Sequence, residues 1–223
     1  MADDVNIDKK WHGAFYEAIK LELIDYKDLL RFISEFQLSA EALRMDLLVI
    51  KKDADTKIEK NIGKIFRGHN IFEYKSETDY IAIDDFYKVC AYALLYKVFE
   101  KADLNDITIT FSETRYPRDL IKHLRNERGY RVTEHFEGIY YVEGDLFPIQ
   151  VIENKKLSAQ DNIWLRNLRS NLNSEDINEI FKRFYEQGDK DGKNAYISKI
   201  IEANKKNDRG GDRYESGKRR RNC

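Results

Sequence analysis

Two short apolar runs, each carrying an acid, constrain this chain more than anything else in it. Met45-Asp46-Leu47-Leu48-Val49-Ile50 has the composition of a strand buried on both faces. Its Asp46 is a residue that an interior strand does not carry without a partner or a metal. A second run, Asn70-Ile71-Phe72-Glu73-Tyr74-Lys75, follows after a polar, lysine-rich connection. Side chains two apart on a strand share a face, so Glu73 and Lys75 point the same way. If the two runs are neighbours in one sheet, Asp46, Glu73 and Lys75 converge. Two carboxylates then face a divalent cation, with an ammonium beside them.

An acid-x-Lys triplet alone carries little weight where 35% of residues are charged, and five others start at Asp8, Asp25, Asp55, Glu153 and Asp191. Of these only Glu153 also ends an apolar run, and Asp145 before it is too close to lie on a separate paired strand. The Glu73 triplet differs in following a strand that already holds an acid. The competing reading is a solvated ion pair on an edge strand, worth little to the fold.

The chain resembles the PD-(D/E)XK nuclease superfamily, and more closely its bacterial branch of transposase-like, recombination-promoting nucleases. The residues that carry the resemblance are His12-Gly13-Ala14-Phe15-Tyr16-Glu17, Arg44-Met45-Asp46, Phe66-Arg67-Gly68-His69-Asn70-Ile71-Phe72-Glu73-Tyr74-Lys75 and Tyr116-Pro117-Arg118, spread over roughly the first 150 residues. Met45 stands where the motif's proline is usual. The resemblance implies an α/β fold with a restriction-endonuclease-like αβββαβ core and a mixed central sheet. It implies DNA as partner and hydrolysis of phosphodiester bonds with Mg²⁺, or Mn²⁺ in its place. Asp46 and Glu73 would hold the metal, joined by the backbone carbonyl of Tyr74 and by Glu17 directly or through water. Lys75 would orient the attacking water and offset charge on the phosphate. An acid such as Glu17 in a helical first turn is also what the helix dipole favours for its own sake. An RNA-directed nuclease, a nuclease fold that binds without cutting, and a structural or partner-binding protein are the other classes the sequence leaves open.

The 223 residues make one large domain or a domain with appendages, and at this size most of the chain surface is buried. Hydrophobic residues at 42%, with only two prolines, call for a packed core rather than a loop-rich body. Cys90 and Cys223 make neither a disulfide framework nor a metal cluster. No run is long enough to span a membrane, and the first residues do not read as a signal peptide, so a cytoplasmic protein without a membrane partner is expected. Glycine-rich phosphate-binding motifs are missing, so no nucleotide cofactor is expected. The sequence leaves the oligomeric state open, with a homodimer among the partners considered. From Lys205 to Cys223 eight Lys and Arg face three acids, so the tail is about +5 and the remainder about −6 of the net −1.

Taken in order, residues 1 to 10 are polar and expected to fray, and a helix starts at Gly13 with Phe15, Ala18, Ile19 and Leu23 inward. A strand is predicted from Leu29 to Leu38, with Leu30, Phe32, Ser34 and Phe36 on one face. Ser39 to Ala42 turns into the Asp46 strand, and 51–60 reads as a solvent-facing loop. His69 is expected to make a structural hydrogen bond. A second helix runs from Asp84 to Phe99 with a stripe of Phe86, Val89, Cys90, Ala93 and Leu94. Tyr87, Tyr92 and Tyr96 cover that stripe or line a cleft. Ile107 to Ser112 alternates as a half-buried strand. Pro117 opens a helix closed by Gly129. Arg118, Lys122, Arg125 and Arg128 give it a basic side suited to a DNA backbone, or simply to solvent.

Tyr130 to Ile152 reads as a β-meander turning at Glu137-Gly138 and Glu143-Gly144. Helices follow at about 158–170, 174–187 and 194–206, with Ser158 and Ser174 as caps. Asp189 to Gly192 has the wrong spacing for a calcium loop and reads as a turn. The expected division is thus 1–157 as nuclease-like core with meander, 158–206 as a helical extension packed on it, and 207–223 as a disordered basic tail. In that tail Lys218, Arg219, Arg220 and Arg221 are candidate phosphate contacts.

Overall fold

The computed structural model describes residues 2–37, 44–53, 55–186 and 194–205, with the side chains of 2–10 and 37 excepted. The expected turn at Ser39 to Ala42, the turn at Asp189 to Gly192 and the tail 207–223 lie outside the described residues.

Helix α1 spans Ala2–Glu22, followed by strands β1 Leu30–Gln37, β2 Arg44–Lys51 and β3 His69–Lys75. Helix α2 (Ile83–Glu100) leads to β4 (Ile107–Glu113), and α3 (Arg118–Asn126) to the meander β5 (Arg131–Phe136), β6 (Ile139–Glu143) and β7 (Ile149–Glu153). Short α4 (Ile163–Arg166), then α5 (Ser174–Glu186) and α6 (Ala195–Asn204), complete the chain. The seven strands form one mixed, open sheet in the order β1-β2-β3-β4-β7-β6-β5. Its three central strands, β3, β4 and β7, are parallel, and the pairings outside them are antiparallel. The order helix, three strands, helix, strand is therefore present, as is the meander.

The sheet has two covered faces. On one, Ala14, Phe15, Ala18 and Ile19 recur every three or four residues along α1 and lie on Leu47, Val49, Phe72 and Tyr74. Phe15 stacks flat on Tyr74, ring centroids 4.4 Å apart. Trp164, Leu165, Phe184, Tyr196 and Ile200 of the C-terminal helices join this same core. The extension thus completes the α1 layer. Each such aliphatic or aromatic side chain contributes about 1.5–3 kcal/mol on leaving water. On the other face α2 and α3 bury Phe86, Val89, Ala93, Tyr96, Leu120 and Leu124 against Leu48, Ile71, Ile109 and Val151.

Several local expectations need correction. The polar leader is helical: α1 begins at Ala2, and nothing from Ala2 to His12 breaks a helix. Gly13 is not its start but the place where it passes α6, since a Cβ there would stand 4.0 Å from that of Ala195. On α2 the stripe is Phe86, Val89, Ala93 and Tyr96. Leu94 falls one step round the helix and is 42% exposed. The 158–170 helix is only four residues long, and Asn171 has a left-handed φ of +56°. Ser158 braces a turn before α4, and the cap of α5 is Asn173, whose side chain accepts from the Asp176 N–H. Lys60, expected in solvent, forms a 2.8 Å ion pair with buried Glu22.

Strand β4 is not half-buried: every residue from Ile107 to Glu113 is buried. Its alternation is genuine, but the polar side points into the α1 layer. Thr108 donates to Asn70 Oδ1 at 2.6 Å, Gln150 donates to Thr110 at 2.9 Å, and Ser112 donates to Asn154 Oδ1 at 2.8 Å. These bonds offset the cost of burying polar groups.

The last correction concerns β1. Leu30 and Phe32 face the α1 layer, but Phe36 packs on the α2 side, 5.7 Å from the Tyr96 ring. Glu35 between them has φ +47°, and that left-handed step turns the strand over. Met45, paired with Phe36, lies on the α2 side with it, out of the alternation set by Leu47 and Val49. The break in the pleat falls at Asp46.

Candidate active site

The β2–β3 ladder runs from Ile50↔His69 to Leu47↔Phe72 and stops there. Beyond it β2 rolls over at Asp46, and the side chain takes up the pairing that the backbone gives up. Asp46 Oδ2 accepts from the Tyr74 N–H at 2.8 Å. A residue's N–H and C=O leave a strand along the same edge, so the Tyr74 carbonyl also faces the Asp46 side. Asp46 Oδ1 lies 3.5 Å from His12 Nε2, midway along α1, and the imidazole ring meets Tyr74 edge-on.

Glu73 and Lys75 do share a face of β3, the one under α2. Glu73 is 4% exposed. Its Oε1 accepts from Lys88 Nζ at 2.8 Å and stands 3.7 Å from Lys75 Nζ. Lys88 also donates to Asp85 at 2.8 Å, and Lys75 lies 3.5 Å from both Asp85 and Asp79. Two lysines and three carboxylates thus interlock where β3 ends and α2 begins. Asp85 also takes the Ala82 N–H at 3.0 Å, which anchors the first turn of α2 beside Glu73.

The electrostatics follow from burial and from Asp46. Burial first, and then the charge of Asp46, push the Glu73 carboxyl up to about 7 although Lys88 and Lys75 pull it down. Burial alone would depress the Lys75 ammonium, but Glu73, Asp85 and Asp79 together hold it above the ordinary lysine range. Burial likewise works to raise Asp85, and the Lys88 and Ala82 hydrogen bonds with the charge of Lys75 reverse it.

Glu73 and Lys75 therefore share one cluster, and Asp46 accepts the Tyr74 N–H and stands close enough to Glu73 for its charge to be felt there. Glu17 has other partners: Lys20 at 3.2 Å and the Asn194 side chain at 3.2 Å, which draw it toward α6. Among the described residues no three His, Cys, Asp or Glu side chains are grouped to hold a metal ion. The donor set that fits one is a pair, Asp46 and Glu73. A small hard ion such as Mg²⁺ accepts that, since it takes one or two carboxylates and keeps several waters. The mutual repulsion that raises Glu73 is what a cation between the two would relieve. His12, Asp85 and Lys88 were missed in the sequence. For the last two a signal existed, an acid and a lysine at i, i+3 in the first turn of the helix after the Glu73 strand.

Away from this cluster, Arg118, Lys122 and Arg125 line the exposed side of α3. Arg125 donates to the Val132 carbonyl at 2.9 Å and Arg128 to the Tyr130 hydroxyl at 3.0 Å, so part of the basic side braces the meander. His69 makes its structural bond, Nδ1 to the Tyr96 hydroxyl at 2.8 Å. Lys218 to Arg221 lie outside the described residues. No helix among the described residues is long and apolar enough to cross a membrane. Compared with family models, with curated proteins and with solved structures, the chain finds no match.

Proposed function

We propose that this protein is a metal-dependent endonuclease of the PD-(D/E)XK type that hydrolyses phosphodiester bonds in DNA, in transposition or recombination. The observation that carries the reading is the parting of β2 from β3. It delivers Asp46 to the Tyr74 N–H, beside Glu73 and with Lys75 on the Glu73 face. The restriction-endonuclease-like core is part of this proposal, supported by the αβββαβ order and the mixed sheet.

In this reading Asp46 and Glu73 would hold Mg²⁺, and the chemistry such an ion would supply is Lewis acidity toward the phosphoryl oxygen and a water activated at neutral pH. The Tyr74 N–H fixes the Asp46 rotamer. Lys75 presents an ammonium to the attacked phosphate, kept charged by the surrounding acids. Lys88 holds Glu73 as a carboxylate against the pull of burial. Asp85 in turn positions both lysines.

The test is supercoiled plasmid incubated with the purified protein in Mg²⁺, in Mn²⁺ and in chelator. Nicking or linearisation that needs the metal and vanishes in Asp46→Ala supports the reading. DNA bound but uncut in both metals would make the chain a nucleic-acid-binding module built on the same fold.

A further inference from the structure

The parallel strands β3, β4 and β7 end together, with Lys75, Glu113 and Glu153 side by side in register. Adjacent strands lie about 4.8 Å apart, so these three side chains make a row roughly 10 Å long. Outside their carboxyl ends, where open sheets with parallel strands place their ligands, a cleft of about 620 Å³ opens between the starts of α2 and α3.

Its floor and rim differ in chemistry. The floor is Glu113, 4% exposed, whose Oε2 accepts the Ile81 N–H at 2.7 Å. Burial first, and then the charges of Asp79 and Glu153, hold its carboxyl near 7. The rim carries Arg115, Arg118 and Lys155 with one acid, Asp119, all exposed, and Tyr80, 70% exposed, while half-buried Glu153 lies beside Glu113 below them. A cleft for a bare polyanion has no use for a buried glutamate in its floor. Three cations against one acid at the mouth, two acids below and an aromatic face at the side call for a ligand with an anionic end, a flat ring and N–H donors on the ring edge. The residue beside Glu113 in register is Lys75 of the candidate active site.

We infer that this cleft takes one unpaired nucleotide of the substrate, its base lowered toward Glu113 and its phosphate held by Arg115 and Arg118 at the rim. The inference rests on the nuclease reading for its choice of nucleotide over other ligands of this shape. Glu113 accepts from an amino or imino N–H of the base. Tyr80 offers a stacking face, a contact that tolerates any base. A base inside a duplex cannot reach such a floor without leaving the stack, so the preferred substrate is single-stranded, flapped or mismatched at one position next to the cut.

Two measurements test this on the full chain. In chelator, calorimetric titration with deoxynucleoside monophosphates should show binding at least about tenfold tighter than with inorganic phosphate or deoxyribose 5-phosphate. Anisotropy should favour a labelled duplex with one unpaired nucleotide over its fully paired control. Arg118→Ala, a surface change, and Glu113→Gln, which keeps an oxygen for the Ile81 N–H, should each erase most of both preferences. Nucleotides bound no better than phosphate, or Arg118→Ala and Glu113→Gln both leaving the preferences intact, overturn the inference. The parent reading is tested apart from it. Plasmid cleavage in Mg²⁺ without nucleotide preference sinks the cleft alone. A preference lost in the variants, with no cleavage in any metal, sinks the nuclease and keeps the cleft.

Discussion

Two glutamates, one on each side of the sheet, are buried to a similar degree, both are raised by that burial, and they differ in what stands beside them. Glu22, at the end of α1, is 6% exposed and meets one lysine and two backbone donors. Lys60 pairs with it at 2.8 Å, and the Trp164 and Leu165 N–H groups donate to Oε1 at 2.9 and 3.0 Å. Burial raises its pKa, and all the named neighbours lower it. Glu73 has a lysine at the same distance, but Asp46 beside it adds repulsion. One carboxylate joins α1, the loop after β2 and α4 into a layer. The other lies between two lysines but has a second acid, Asp46, close enough to repel it. In the proposed reading, a cation between the two acids would relieve that repulsion.

The largest effect should come from removing one of these two neighbouring acids. Glu73→Gln or Asp46→Ala should lower plasmid cleavage by at least about a hundredfold, as loss of a group that stabilises transition-state charge does. Neither should lower the melting temperature in chelator, since repulsion is relieved. Full cleavage by either variant would break the contrast.

Glu22→Ala should do the reverse, costing about 3–5 kcal/mol of stability by stranding Lys60 and two backbone donors. The protein that stays folded should cut at the normal rate per folded molecule. Thermal melts followed by cleavage at low temperature separate the two.

A third test uses pH. Glu113, faced by the Ile81 N–H, Arg115, Asp79 and Glu153, titrates near 7 when folded and near 4.5 in an unfolded chain. Its protonated form is the one that burial favours. Its contribution is therefore complete below about pH 4.5 and is lost as pH climbs to about 7. Glu73 titrates in the same window, so metal-free wild type should lose stability over it, and Glu113→Gln should remove part of that slope. Denaturant midpoints at pH 5 and pH 7.5 decide it, and an unchanged slope would remove Glu113 from the account.

The smallest effect belongs to the tail. Removing 208–223, with Lys218 to Arg221, should weaken duplex binding mainly at low salt. The slope of log affinity against log salt should flatten by up to roughly 0.9 for each phosphate that the tail had neutralised. Anisotropy over a salt series measures it, and parallel lines of equal affinity would show that the tail never touches DNA.

Much of this arrangement was legible in the sequence, for physical reasons that are easy to name. Asp46 inside an apolar run and Glu73 two before Lys75 are one-dimensional signals, and period two on β3 put the last pair on one face. Element order and the meander were legible because apolar periodicity and the glycines at 138 and 144 announce them. Glu17 could not be placed, because what decides its direction is Asn194, which comes to it from α6. His12 reaches Asp46 only because β2 turns over there, and the left-handed step at Glu35 that accompanies the turn has no glycine to signal it. Strand β4 was misjudged because alternation reports two chemically different sides, not which of them meets water.

That polar side of β4 has a consequence for how the sheet assembles. Parallel strands joined by long crossovers gain little from local pairing, and a slip of two residues keeps every apolar side chain on its proper face. Hydrophobicity alone therefore proofreads such a sheet poorly. Here a slip of β4 or β7 would separate Thr108 from Asn70, Thr110 from Gln150 and Ser112 from Asn154, leaving several buried polar groups unmatched at about 1–3 kcal/mol each. The buried hydroxyls and amides act as a ruler in the α1 layer, and what they keep aligned on the opposite face is the row of Lys75, Glu113 and Glu153.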